Sequence, residues 1–248
     1  MIWSVGRSVF IFIQSRASID MAILHPVLDI LPQRQRVVWK RLAPTPKDFV
    51  LYGGTALALR LGHRESVDFD FFSQRAFQAV ELLRSIPYLK DQAVVQESEN
   101  TLSCNLSTEQ GTVSISFFGG LTLGQLQPPG QAEGNGILVA SLIDIFGMKC
   151  AAIPQRNEVK DYLDIHALIT RAGISLAEGI TAAGAIYGRQ YSPVLTLQAL
   201  SYFDDLPQPL PEAVKVELIA AVKSVALDSL PAMAATGKIA DGVEQTSP

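Results

Sequence analysis

The chain has 248 residues, a net charge of −4, 48% hydrophobic residues and 18% charged ones. That balance supports a substantial core and excludes disorder as the default state. The acidic sum argues against a broad, non-specific grip on nucleic acid and leaves room only for a local basic patch. Cys104 and Cys150 form neither a disulfide framework nor a metal-ligand spacing, which fits a reducing cytoplasm and two small core residues.

In chain order, Val9-Phe10-Ile11-Phe12-Ile13 is too short to span a bilayer. Gln14-Ser15-Arg16 directly after it offers no small-residue cleavage site. Residues 1–20 therefore read as an upstream-start artefact or a loosely attached tail, with the domain opening at Met21. Pro32 to Leu42 predicts a helix that carries Arg34, Arg36, Lys40 and Arg41 and is broken by Pro44 and Pro46. Phe49–Tyr52 predicts a short buried strand, Thr55–Leu61 a helix entered through Gly53 and Gly54, and Ser66–Phe72 a second strand. Ala76–Ile86 reads as a helix with Val80, Leu82, Leu83 and Ile86 at core spacing. Strands 94–96, 101–106 and 112–118 form a meander, followed by a Pro/Gly-rich loop over 127–136. From Ala140 onward the pattern is helical, with segments 140–153, 158–171, 175–188, 192–203 and 211–230. The expectation is an α+β fold: a mixed sheet with flanking helices over 21–138, a helical bundle over 139–235, and a frayed tail over 236–248.

The chemistry concentrates in residues 52–72. In a strand, Ser66, Asp68 and Asp70 share one face while Val67, Phe69 and Phe71 take the other. The two carboxylates then lie about 6–7 Å apart and repel by about 2–3 kcal/mol at an effective dielectric of about 20. A divalent cation reverses the sign of that interaction, and Mg²⁺ with phosphate-bearing substrates suits such a pair. Gly53 and Gly54 remove Cβ where the chain enters a helix, so backbone N–H groups and the positive helix end can approach a phosphate. A phosphate cradle shortly before a paired-carboxylate strand is the layout of a nucleotidyltransferase. The bland alternative is a tight turn followed by a solvated acidic strand edge.

Farther along, Lys149 sits in an otherwise apolar helix, where it either snorkels outward or meets an anion. Asp161 and Asp164 lie on one helix face, and Lys160 and Asp164 are spaced to pair. Arg156, in the turn between these helices, reads equally as a phosphate or RNA contact and as a solvated loop residue. His63 suits a helix C-terminus and His166 helix packing; the three scattered histidines argue against a His-based zinc site.

The run LYGGTALALRLGHRESVDFDFFS resembles the abortive-infection nucleotidyltransferase family (AbiEii/AbiGii-type toxins), a branch of the DNA polymerase β-like superfamily. The family pattern is met by Gly53-Gly54-Thr55, by Arg64-x-Ser66-x-Asp68-x-Asp70-Phe71, and by Lys149 followed by Lys160-Asp161-Tyr162-Leu163-Asp164. The resemblance covers roughly residues 49–169. It implies a nucleotidyltransferase-type sheet and NMP transfer from an NTP to an acceptor hydroxyl. Asp68 and Asp70 would hold Mg²⁺ or Mn²⁺. Gly53, Gly54, Thr55, Arg64 and Ser66 would bind the nucleotide, Lys149 the triphosphate tail, and Asp161 would organise the site or its lysine. It further implies a cytoplasmic type IV toxin with a separate antitoxin protein, no membrane association and, in some relatives, tRNA as acceptor.

One departure concerns the third carboxylate that much of the superfamily carries on a neighbouring strand: Thr112–Phe118 offers serines instead. Either Asp161 or Asp164 compensates, or catalysis rests on positioning and metal alone, or the enzyme is attenuated. Two rival readings follow, a small-molecule nucleotidyltransferase of the antibiotic-modifying sort and a catalytically weak nucleotide-binding module. The basic run of Arg34, Arg36, Lys40 and Arg41 tilts the choice towards an RNA acceptor.

Overall fold

The computed structural model describes residues 22–239 except Asn157; the expected extension over 1–20 and the end of the expected tail lie outside them. The first half runs β1 (Ile23–Leu24), α1 (Gln33–Trp39), β2 (Val50–Tyr52), α2 (Gly53–Leu61), β3 (Asp68–Phe72), α3 (Ala79–Ser85), β4 (Ala93–Ser98), β5 (Thr101–Thr108) and β6 (Gly111–Phe118). Three short strands follow, β7 (Gly124–Gln125), β8 (Gly130–Ala132) and β9 (Leu138–Val139). The helices α4 (Leu142–Ala152), α5 (Val159–Thr170), α6 (Leu176–Tyr187), α7 (Pro193–Ala199) and α8 (Glu212–Lys223) precede β10 (Gly237–Lys238).

Eight strands form one mixed sheet in the order β1-β8-β9-β2-β3-β6-β5-β4. The alternation of β3 decides how that sheet is used. Phe69 and Phe71 are fully buried, and Phe71 stacks on Phe117 of β6 at 5.3 Å between ring centroids. Leu102, Cys104, Leu106, Val113 and Ile115 continue this apolar face, each burial of a large side chain stabilising by about 1.5–3 kcal/mol. The opposite face carries Asp68 and Asp70, registered against Ser114 and Ser116, which in turn face Asn105 and Ser103 of β5. Strand β3 opens at Asp68, so Val67, expected on the core face, is 42% exposed.

Helix α1 covers the apolar face, with Trp39 stacked on Phe69. Its basic residues therefore stand on the other side of the sheet from Asp68 and Asp70, and the basic run lends no support to an acceptor at the carboxylates. The apolar core continues from the sheet into Ile165, Leu168 and Leu218, so the change near residue 138 falls inside one continuous packing. The helical half is tied on by polar anchors. Ser141 caps α4 by accepting from the Asp144 N–H, and the buried Asp144 carboxylate accepts from the backbone N–H groups of Leu126 and Gln127 at 2.7 and 3.0 Å. Arg60 of α2 donates to the carbonyls of Val139 and Ala140.

Two expected irregular segments are ordered by pairing. The 127–136 loop contributes β8, parallel to β1 and antiparallel to β9. The expected tail from Thr236 is held as far as Ile239, because β10 pairs with β7 and the Ile239 side chain is fully buried.

Candidate active site

The sharp passage from β2 into α2 needs glycine for two reasons. Gly53 has φ +73°, a region that side-chain-bearing residues rarely adopt, and a Cβ there would lie 3.0 Å from Asp70 Oδ2. A Cβ on Gly54 would lie 2.8 Å from Ser66 Oγ and 2.9 Å from Arg64 Nη2. The glycine turn thus lies directly against the β3 carboxylate and the segment leading into β3. The first turn of α2 contains no acidic residue of its own, so the negative charge facing its N-terminus comes from Asp70 of β3.

Gly53, Asp70 and Lys149 meet in one cavity of about 170 Å³, with Tyr52, Phe72, Met148, Arg156 and Tyr187 in its walls. Tyr52 and Phe72 stack at 5.2 Å and form an aromatic floor. Asp68 is exposed beside it, while Asp70 is half-buried. Burial first, and the Asp68 charge second, raise the Asp70 carboxyl above the ordinary carboxylate value, against the pull of Lys149, Arg156 and Lys160. The ionised form of Asp70 is therefore disfavoured relative to a carboxylate in water. Among the described residues no group of three or more His, Cys, Asp or Glu side chains could hold a metal ion. The two β3 carboxylates are the ligands the protein would offer, leaving further positions to phosphate and water.

Behind this cavity lies a buried charge cluster centred on Asp164. Arg64 grips its carboxylate with Nε to Oδ1 at 2.7 Å and Nη2 to Oδ2 at 2.8 Å. His63 Nε2 lies 2.7 Å from Oδ1 and Lys149 Nζ 2.6 Å from Oδ2. Lys149 also donates to Asp161 Oδ1 at 2.6 Å. Burial alone would raise the Asp164 carboxyl, but the His63 hydrogen bond, the Lys149 charge and the Arg64 fork outweigh it and hold it far below the usual range. Asp161 Oδ2 and His63 Nδ1 are buried with no hydrogen-bond partner. An ammonium has three N–H bonds, and two are engaged by these carboxylates, so one remains for the cavity that Lys149 lines.

The residues singled out from the sequence are therefore divided between two layers. Gly53, Asp70 and Lys149 line the cavity; Arg64 and Asp161 stand behind it in the charge cluster. Thr55 is buried, and its hydroxyl donates to the Asp68 carbonyl, so it pins β3 to α2. Ser66 lies against Gly54. Lys160 pairs with Glu158 at 2.7 Å, not with Asp164, because Asp164 faces inward while Lys160 is exposed. His63 is an Asp164 partner more than a helix cap, and His166 meets Glu217 of α8 at 2.7 Å.

Sequence reasoning passed over Asp164 as the hub. The signal was present: His63 and Arg64 adjoin in a short link between buried elements, and a carboxylate three residues from Asp161 shares its helix face. Tyr187, in the cavity wall, had no local signal, since an aromatic residue closing a helix is ordinary core material.

No helix among the described residues is long and apolar enough to cross a membrane. Solved structures that resemble the chain include the following two. A crystal structure from H. pylori, provisionally assigned as a nucleotidyltransferase, is 21% identical with a TM-score of 0.46, covering 76% of this chain and 90% of that one. MenT4, a nucleotidyltransferase toxin of Mycobacterium tuberculosis H37Rv, is 17% identical with a TM-score of 0.48, covering 77% of this chain and 84% of that one. An uncharacterized protein of Aquifex aeolicus (strain VF5) is 33% identical over 170 residues, 68% of this chain and 80% of that protein. The profile of the nucleotidyl transferase AbiEii toxin, type IV toxin–antitoxin system, matches residues 38–232. The chain belongs to the AbiEii nucleotidyltransferase toxin family.

Proposed function

We propose that the protein transfers NMP from an NTP to a hydroxyl of RNA, with tRNA as the acceptor class, and that a separate antitoxin protein restrains it as the toxin of a type IV system. The observation that carries this reading is the single cavity in which a glycine turn at a helix N-terminus, the Asp70 carboxylate and the Lys149 ammonium meet. In it Gly53, with Gly54 next to it at the start of α2, presents backbone to the phosphates, while the free N–H of Lys149 and the Arg156 guanidinium neutralise the triphosphate tail. Asp68 and Asp70 are the ligands for Mg²⁺, or for Mn²⁺ in its place. When bound, the ion supplies charge neutralisation at the phosphate oxygens and removes the carboxylate repulsion.

The acceptor oxygen bonds to the α-phosphorus, the bond to the bridging oxygen breaks, and pyrophosphate leaves. The acceptor approaches over the polar face of β3, β6 and β5, where Ser114, Ser116, Ser103 and Asn105 suit a hydroxyl-rich polymer end. With serines opposite both aspartates, the acceptor proton passes to Asp68 or to water. That same substitution favours a second reading, a weakly catalytic nucleotide-binding module. The test is incubation with Mg²⁺, each α-labelled NTP in turn and total bacterial RNA on a denaturing gel. Label in a tRNA-sized band supports transfer to RNA. Nucleotide binding without label in any RNA overturns it, and label appearing only on small hydroxyl compounds replaces RNA with a small-molecule acceptor.

A further inference from the structure

A second cavity of about 390 Å³ adjoins the first and shares Ala152, Arg156 and Tyr187 with it. The two differ in chemistry. The inner one alone has Lys149 and the Asp70 carboxylate, and it has no amide side chain. The outer one has Tyr187 and Tyr191 with Gln155, Gln190 and Ser192, which are flat faces together with neutral donors and acceptors.

The outer wall is built to stay in place. The Tyr191 hydroxyl shares a 2.9 Å hydrogen bond with Thr196, and the fully buried Thr196 donates to the Cys150 carbonyl at 2.7 Å. Cys150 follows Lys149 on α4, so the ring of Tyr191 is tied to the helix that carries the inner-cavity lysine. Among the described residues the side chains of Gln190 and Ser192 make no hydrogen bond to the protein, and Gln190 is exposed. Arg156 and Tyr187 stand at the junction of the two spaces.

Given the reading of the inner cavity as a triphosphate site, we infer that the outer cavity holds the nucleobase of the same nucleotide, with Tyr187 and Tyr191 as ring faces and Gln190 as the residue that reads the base edge. The occupant must be continuous with a phosphate group at Lys149 and must offer a flat ring with an edge of donors and acceptors; a nucleoside triphosphate is both. Arg156, belonging to both spaces, is placed to bridge the phosphates and the ring.

The test is calorimetric titration of the full chain with Mg²⁺ against tripolyphosphate and against ATP, GTP, CTP and UTP separately, using the wild type, Gln190→Ala and Tyr187→Leu. At least one NTP should bind about tenfold more tightly than tripolyphosphate, the order expected for one stacked and edge-bonded base. Gln190→Ala, at a position that lines the outer cavity alone, should narrow the ranking among the four NTPs while tripolyphosphate affinity and melting temperature hold, and Tyr187→Leu should weaken all four NTPs by more than it weakens tripolyphosphate. Equal binding of NTPs and tripolyphosphate by the wild type overturns the inference, as does an NTP ranking untouched in both variants. If tripolyphosphate fails to bind but NTPs still respond to Gln190→Ala, the base pocket stands and the triphosphate assignment of Lys149 falls.

Discussion

Arg64 and Asp164, a hundred residues apart, meet in a two-point fork with nitrogen–oxygen distances of 2.7 and 2.8 Å. Because the same carboxylate accepts from Lys149, the fork sets where the cavity lysine can stand. Asp164→Ala leaves Arg64 and Lys149 short of a buried partner and should cost about 3–5 kcal/mol of folding stability. Arg64→Lys keeps the charge but loses the planar fork, and should cost less while raising the KM for NTP. Urea unfolding and steady-state kinetics check the pair of expectations; an Asp164→Ala protein as stable as wild type would contradict the structural role.

Lys149 has two duties, and they can be separated. Lys149→Met should weaken tripolyphosphate binding by about tenfold or more, the scale of a lost charge-assisted contact. It should also destabilise the fold by stranding Asp161. Adding Asp161→Asn should recover stability without recovering binding, since the stranded charge is gone but the phosphate contact is not restored. Thermal melts and calorimetry on the single and double variants distinguish this from a lysine that serves packing alone.

For Asp70 the signs of stability and activity oppose. Its folded value is raised by burial and by Asp68, so at neutral pH the charged form is penalised in the folded state. Asp70→Asn removes that penalty and should raise the melting temperature in metal-free buffer. The same variant should lose at least about a hundredfold in transfer rate, the scale of removing a group that organises transition-state charge. A fall in both quantities would point to a purely structural Asp70.

The pH dependence follows Asp164 in the other direction. Its folded value is depressed, so its contribution is fully present above the unfolded carboxylate value of about 3.9. That contribution is lost as pH falls towards the folded value. Stability should therefore fall on acidification below about pH 4, and Asp164→Asn should flatten this limb. Chemical denaturation at stepped pH measures it.

Gly54→Ala places a methyl group 2.8 Å from Ser66 Oγ and 2.9 Å from Arg64 Nη2. Overpacking of this kind should cost about 1–3 kcal/mol. Loss of activity should exceed the loss expected from unfolding alone, because the displaced guanidinium is the one that holds Asp164. Comparing activity per folded molecule with the melting curve tests this.

Strand period, turn chemistry and helix caps act over a few residues, so the sequence by itself determined the glycine turn, the strand with both carboxylates on one face, and the run of helices after residue 140. It also determined that Asp161 and Asp164 share one helix face, though not that this face points inward. What each polar group meets once the chain closes was left to the tertiary structure. Thr55, read from its motif as a nucleotide contact, donates to the Asp68 carbonyl because α2 packs against β3. Arg64, read the same way, is claimed by Asp164, since the link after α2 meets α5 and sets opposite charges together around a carboxylate that water does not reach. Lys160 lost Asp164 to that cluster and took Glu158. Helical spacing permits a pair, but burial selects among permitted pairs, because a carboxylate out of water needs several donors at once and only a folded chain supplies them.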